Sequence, residues 1–489
     1  MASRRKLTSG MWSSIWPDTF VVIGITICFG FIFLYRLGYQ SLQSFDEAWY
    51  AAIARNLATG KAAPFFSQFN GAIYTDHPPL GFWLMAASMR LFGINEWAAR
   101  FPLALAGVGG LLACYWLARS IGGKQAGLVA SLMLGSSLWY VFRSRSANLD
   151  ILVSALMTVA VALLVSALKK PRLIYLAALG WGLALLSKSV VALTLLPGFF
   201  IWFLIVPLKI KPKLFLFAGF VLILLAIVIP WYRINYLWHS NSIFYNLFTI
   251  GLRSGTNHVS LEAVNQNLLY LRSGIGKWYY PGLISLPVSV FLVFLKKIPS
   301  TIIYIYVWLL AILTPLALSA KTEVWHLIPA YPPLMVVSAI TLFALIRLVA
   351  THLTPLSILG RNFIPLLATA TVAVLALLQL KSFWTLVIPS AFAVSQEADI
   401  AKKAAIYHQP LYLKAYFWPA AVYYSGQDFI TFLDLAKDAH QVMVTLLRQQ
   451  PARAMFIVPF TELDSLSQED VNFTVLERNS AYALITGAD

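Results

Sequence analysis

The sequence predicts a polytopic α-helical membrane protein with a small α/β domain at its C-terminal end. Three observations carry that prediction. Hydrophobic residues fill 60% of the 489 positions and charged ones only 11%, with a mean hydropathy of +0.75, a balance far from that of soluble globular chains. Apolar runs of membrane-spanning length recur along most of the chain. After Ser395 they give way to short alternating segments broken by polar turns.

About eleven apolar runs are long enough to span, because in hydrocarbon the helix satisfies its backbone groups internally. They fall near 18–37, 97–118, 125–142, 149–168, 173–187, 190–207, 214–231, 281–295, 300–319, 327–346 and 363–380. The first follows "MASRRKLTSGMWSSIWPDTF" and precedes no small-residue cleavage site, so an uncleaved span is expected. The net charge of +17 would suggest nucleic acid in a soluble chain. Here Lys and Arg punctuate apolar runs in short clusters, the pattern that fixes topology, so a nucleic-acid partner is excluded. With Arg4, Arg5 and Lys6 inside, every inward connection carries at least two cations. Loops 38–96 and 232–280, the turns near 143–148, Lys188 and Lys321, and the C-terminal tail then face outward. Cys28 and Cys114 both lie in apolar segments, which indicates neither a disulfide framework nor a Cys-based metal site.

The first outer loop has helical signals. In "SFDEAWYAAIARNLATG", Ser44 and Glu47 have capping-box spacing and Trp49, Ile53 and Leu57 recur every four residues, predicting an amphipathic helix on the membrane surface. A second helix over Pro78 to Gly93 is too short to span and reads as interfacial or re-entrant. The loop 232–280 is too aromatic for a linker and too long for a turn, and reads either as a lid or as a packed cover over helix ends. Over residues 391–489 a small α/β domain outside the membrane is expected, with short strands and a helix near Leu433 to Gln449. "GVGG" at 107–110 sits inside a span and lacks the strand context of a dinucleotide-binding turn.

Acidic residues gather on the outward side. Asp46 and Glu47 open the first loop helix, Asp76 and His77 precede the second, and Asp150 begins a span. The acidic pair is consistent with a helix cap, a metal ligand set or a catalytic base. A carboxylate at membrane level is costly enough to count as a functional candidate. Arg143, Arg145, Lys188 and Lys321 lie on short outward turns, against the charge rule, and an anionic ligand at the interface would account for them. Taken singly, each could instead meet lipid headgroups or helix carbonyls.

The series "DEAWYAAIARNLATG", "YTDHPPLGFWL", "AARFPLALAG", "RSANLDILV", "GLALLSKS" and "HLIPAYPPLMV" resembles the bacterial branch of the protein O-mannosyltransferase superfamily, which includes the lipid A aminoarabinose transferases. The resemblance covers most of residues 40–340. It implies a GT-C fold and transfer of a sugar from a polyprenyl phosphate on the periplasmic side of the inner membrane to a glycolipid, lipid A or protein hydroxyl. It implies that Asp46 is the base or the group orienting the acceptor, and that Asp76 stands at the second acidic position, where relatives often carry Glu. The next position often holds a phosphate-facing Lys, and here it is His77. A basic residue in a comparable loop of the family points to Arg253.

The chemistry asks for the same groups. Transfer to a hydroxyl needs a carboxylate to take its proton and positive charge to stabilise the departing phosphate. Asp46 and Asp150 supply carboxylates; His77, Arg143, Arg145, Lys188, Arg253, Lys321 and His326 are the donor-phosphate candidates. A divalent metal, Mg²⁺, Mn²⁺ or Zn²⁺, on Glu47, Asp76 and His77 could share the leaving-group role. Two other readings stand beside this one: a lipid-linked sugar flippase, which should show mid-depth polar residues or paired repeats, and a scaffold whose tail binds a partner.

Overall fold

A computed structural model describes residues 15–43, 45–245, 261–319, 322–352, 358–387, 395–414, 418–433, 438–449 and 453–488. Helices dominate as far as residue 387. They run α1 (Ile15–Leu34), α2 (Asp46–Ala58), α3 (Leu80–Phe92), α4 (Glu96–Gly122), α5 (Lys124–Gly135), α6 (Leu138–Ser144), α7 (Leu149–Ala167) and α8 (Ile174–Leu185). There follow α9 (Ser189–Leu193), α10 (Leu196–Ile205), α11 (Ile210–Tyr245), α12 (Leu261–Ile275), α13 (Tyr279–Phe294), α14 (Ile303–Ala317), α15 (Tyr331–His352) and α16 (Ile358–Ser382).

Among the described residues, six helices are long and apolar enough to cross a membrane, or seven if the bent pair α5 and α6 forms one span. That pair is where the run expected at 125–142 breaks. Its halves meet at 72°, because Ser136 and Ser137 turn their hydroxyls back onto the carbonyls of Leu132 and Met133, and Gln379 and Trp278 donate to Ser136 from other helices. A break inside a bundle is tolerated when neighbours satisfy the freed polar groups in this way.

Helices α4, α5, α7, α8 and α15 form the buried centre. Asn95 caps α4 by accepting from Ala98 N at 2.8 Å, the usual service of an N-cap side chain. The salt bridge between Arg119 and Asp18, which also accepts from the Tyr115 hydroxyl, ties α1 to α4. "GVGG" serves packing: a Cβ at Gly110 would strike the Tyr140 hydroxyl and Ala155, so only glycine lets these helices approach so closely. Helices α11 and α16 instead leave most of their apolar side chains exposed, as lipid-facing helices do.

The first loop helix differs from the expectation. Ten of the thirteen residues of α2 are buried, so it is an internal element rather than a helix lying on a membrane surface. Trp49 packs on Phe69 and Tyr74, and Arg90 of α3 donates to the carbonyls of Leu57 and Ala58, closing the C-terminal end of α2. The N-cap of α2 is Phe45, which makes no side-chain cap, and Ser44, the first member of the expected capping box, lies outside the described residues. The described residues of the 232–280 segment are helical: α11 reaches Tyr245 across a kink at His239, and α12 starts at Leu261. Residues 246–260 lie outside the described residues.

The C-terminal part has the expected α/β character. Five strands, β3 (Leu411–Leu413), β4 (Thr431–Phe432), β5 (Met455–Pro459), β6 (Phe473–Arg478) and β7 (Tyr482–Gly487), form a sheet in the order β4-β3-β5-β7-β6. Pairing is parallel on both sides of β3 and antiparallel for β5-β7 and β6-β7. The helix expected near 433–449 is Ala439–Gln449. A two-stranded ribbon, β1 (Gln68–Phe69) with β2 (Ala72–Ile73), lies in the first loop.

Candidate active site

Three segments far apart in sequence bring two carboxylates and two cations together. Asp46 is the first residue of α2, directly after Phe45, whose φ of 97° lies in the left-handed region. Such a backbone costs a bulky residue about 1–3 kcal/mol and persists where the surroundings over-determine it, often at functional sites. Asp150 lies in the first turn of α7, and Asn148, the N-cap of that helix, links the two acids. Its Oδ1 accepts from Asp150 N at 3.0 Å and its Nδ2 donates to Asp46 Oδ2 at 3.4 Å.

Lys188, between α8 and α9, donates its Nζ to Asp150 Oδ1 at 2.7 Å. Arg143, near the end of α6, is buried with its guanidinium 4.4 Å from the Trp325 ring and 5.3 Å from that of Trp139. Its Nε has no hydrogen-bond partner among the described residues. Aromatic faces stabilise a buried cation without consuming its N–H groups. Burial holds the Asp46 carboxyl above its ordinary range and the charge of Asp150 acts the same way, while Lys188, Arg143 and Asn148 oppose them. The balance yields a carboxylate more basic than usual beside two cations.

His326 lies within electrostatic reach of Asp150, its Nδ1 accepting from Glu323 N at 3.1 Å. The ring of His77 meets Tyr50 and Tyr74 edge to face, and Tyr50, one turn beyond Asp46, couples to both Asp46 and Asp150. Asp76 is half-buried in the turn between β2 and α3. Arg253 and Lys321 lie outside the described residues.

Two predicted site residues are engaged elsewhere. Arg145 donates Nη1 to the carbonyls of Ile32 (2.6 Å) and Phe33 (3.1 Å) and Nη2 to that of Tyr35 (2.8 Å), closing the end of α1. Cations at a helix C-terminus stabilise it. Arg145→Ala is therefore expected to lower the thermal unfolding temperature while leaving polyprenyl-phosphate affinity within about twofold, since each lost charge-assisted bond is worth about 1.5–3 kcal/mol to the fold. A loss of lipid affinity without a change in stability would return Arg145 to the site.

Glu47 is the second. Its carboxylate accepts from Arg100 Nε (2.7 Å) and Nη2 (3.0 Å), Gln43 N (2.9 Å) and Ala147 N (2.8 Å), all in a buried setting. With its oxygens so occupied it does not fit a metal ligand set. Among the described residues no three of His, Cys, Asp or Glu come close enough to hold a metal ion, so Glu47, Asp76 and His77 are not brought together as one.

Sequence reasoning missed Asn148, Arg100, Tyr50 and the two tryptophans around Arg143. Arg100 carried a readable signal, since a cation just inside an apolar run needs a buried partner. So did Asn148, an N-cap residue type two positions before Asp150. The ring pair Trp139 and Trp325 joins positions 186 residues apart, and no local pattern announces it.

Comparison with known proteins follows the same lines. Residues 76–232 match the family model described as dolichyl-phosphate-mannose-protein mannosyltransferase. The putative mannosyltransferase YkcB of Bacillus subtilis is 31% identical over 172 residues, 34% of this chain and 24% of that protein. The undecaprenyl phosphate-alpha-4-amino-4-deoxy-L-arabinose arabinosyl transferase 1 of Pseudomonas fluorescens is 34% identical over 129 residues, 26% of this chain and 23% of that one. The matched stretches cover less than half the length of such relatives. Among solved structures, apo ArnT from Cupriavidus metallidurans superposes with a TM-score of 0.74 at 18% identity, covering 96% of this chain and 98% of that one. The helical bundle with its C-terminal sheet domain is thus a GT-C fold. Part of the chain is thus similar to that mannosyltransferase family and to the aminoarabinose transferases, and nearly all of it shares the fold of ArnT.

Proposed function

We propose that this protein is a membrane glycosyltransferase that takes a sugar from a polyprenyl-phosphate carrier and passes it to an acceptor outside the cytoplasmic membrane. One observation carries the reading: Asp46, held more basic than an ordinary carboxylate, stands with Asp150 beside Lys188 and the aromatic-boxed Arg143. In the reaction the acceptor oxygen forms a bond to the anomeric carbon, the bond from that carbon to the phosphate oxygen breaks, and the acceptor proton goes to Asp46. Arg143 and Lys188 stabilise the negative charge left on the carrier phosphate. Asp150 holds the Lys188 ammonium in place through one of its three protons, leaving the others to a ligand. A related structure carries the matching lipid, since ArnT from Cupriavidus metallidurans has been solved bound to undecaprenyl phosphate.

The orientation belongs to the same reading. With the N-terminus inside, the alternation of cation-bearing connections puts the start of α7 and the domain from residue 391 on the outer side. No step is routed through a metal, since Glu47 is already committed to Arg100. In this scheme His326 and His77 line the site rather than ligate.

Arg143→Ala and Lys188→Ala should each weaken binding of sugar-free undecaprenyl phosphate by about tenfold or more, the effect of losing a charge-assisted contact in a dry site. Titration of the purified protein with that lipid in nanodiscs measures it. Unchanged affinity in both variants would make the two cations partners of Asp46 and Asp150 only. For the activity itself, incubation with a panel of radiolabelled polyprenyl-phosphate sugars tests the reading and names the sugar.

A further inference from the structure

The side of α2 remote from the site is held by the C-terminal domain. Arg55, only 6% exposed, donates Nη1 to the carbonyls of Val422 (3.0 Å) and Tyr423 (2.9 Å) and Nη2 to that of Gln427 (3.3 Å). Those carbonyls lie at and just past the end of the domain helix Pro419–Tyr424. The same helix holds the lead into α2: the Tyr424 hydroxyl accepts from Leu42 N at 2.6 Å and donates to Glu96 Oε1 at 3.0 Å. A third contact is reciprocal, Asn70 Nδ2 donating to the Ile430 carbonyl (2.9 Å) and Asn70 Oδ1 accepting from Ile430 N (2.7 Å).

Burying a guanidinium against carbonyls is expensive compared with an apolar side chain of the same volume. What it supplies is direction, because its planar fork fixes several acceptors at once. Arg55 lies nine residues after Asp46, about 180° around the helix and about 13 Å along it. One side of α2 therefore carries the carboxylate and the other is gripped by the domain.

We propose that the C-terminal domain is a clamp that seats α2, with Arg55 as a positioning residue for Asp46. The inference rests on the reading of Asp46 as the reacting carboxylate. Loosening the grip lets α2 shift or tilt in its socket, and a displacement of about 1 Å at a reacting group costs about 100-fold in rate.

The test uses full-length protein in nanodiscs with Arg55→Ala, Arg55→Lys and Asn70→Ala, measuring hydrogen exchange by mass spectrometry, undecaprenyl-phosphate binding and the rate of sugar transfer. Arg55→Ala should raise exchange across residues 46–58 by about tenfold or more while α7 stays protected, local opening being separable from global unfolding in this way. It should lower kcat by about 30-fold or more with lipid affinity within about twofold. Arg55→Lys, whose ammonium reaches fewer carbonyls, should fall between. Should Arg55→Ala unfold α7 as well, the milder Asn70→Ala decides: raised exchange in α2 alone supports the clamp. Unchanged α2 exchange in the variant that remains folded overturns it, even if activity falls. A wild-type protein that transfers no sugar, with exchange in α2 still rising in the variants, would refute the transferase reading and leave the domain's grip on α2 standing.

Discussion

Asp46→Asn should leave the protein folded and inserted and reduce sugar transfer by about 10²–10⁴-fold, the usual worth of a positioned general base. The amide keeps the shape of the side chain and an oxygen to accept the Asn148 bond, so what is removed is the capacity to take a proton. The pH dependence gives an independent signature. Burial raises the carboxyl above the ordinary aspartate value of about 3.9, so the fraction ready to act as base falls as the pH drops through that raised value. The wild-type rate should therefore decline on an acidic limb lying above the ordinary carboxylate range, and the residual activity of Asp46→Asn should lack that limb. Equal rates in the two proteins would remove Asp46 from the chemistry.

The largest expected loss of stability comes from the neighbouring pair. Arg100 joins Glu47 to the chain leaving α1, donating also to the carbonyls of Leu37 (2.8 Å), Gln40 (3.0 Å) and Ser41 (3.1 Å). Arg100→Ala strands a buried carboxylate and should cost about 3–5 kcal/mol, visible as a large fall in thermal unfolding temperature in detergent. Glu47→Gln should cost less, because Arg100 keeps its carbonyl partners and the amide oxygen still accepts. Burial alone would raise the Glu47 carboxyl, but the charge and hydrogen bonds of Arg100, with the donors of Gln43 and Ala147, hold it below its ordinary value. The stability this supplies is fully present above the unfolded-state value of about 4.3 and is lost as the pH falls through the lower folded-state value. A greater loss of stability in Glu47→Gln than in Arg100→Ala would contradict this division.

Composition and recurring apolar runs made the helical character legible, since a bilayer asks the same of every span, although six or seven of the described helices are long and apolar enough to cross where about eleven runs were expected. The sheet domain after Ser395 was equally readable from its change in periodicity. Carboxylates and cations could be nominated because each stood where membrane physics makes a charge costly. Their sorting could not be read. Asp46 and Glu47 are adjacent in sequence yet point into different surroundings, one toward Asn148 and the other into Arg100. Arg143 and Arg145 share one turn, yet Arg143 rests between tryptophans and Arg145 closes α1. The burial of α2 escaped the amphipathic pattern because its second cover, the domain helix Pro419–Tyr424, arrives more than 360 residues later in the chain.

The fate of a labelled donor tests the central claim most directly. Wild-type protein in sealed proteoliposomes, given a polyprenyl-phosphate sugar labelled in both lipid and sugar together with candidate acceptors, should separate the two labels for at least one sugar of the panel. Asp46→Asn should leave the labels joined. If every donor in the panel remains intact while the labelled lipid crosses the bilayer, the protein is a flippase and the account given for Asp46, Arg143 and Lys188 is wrong.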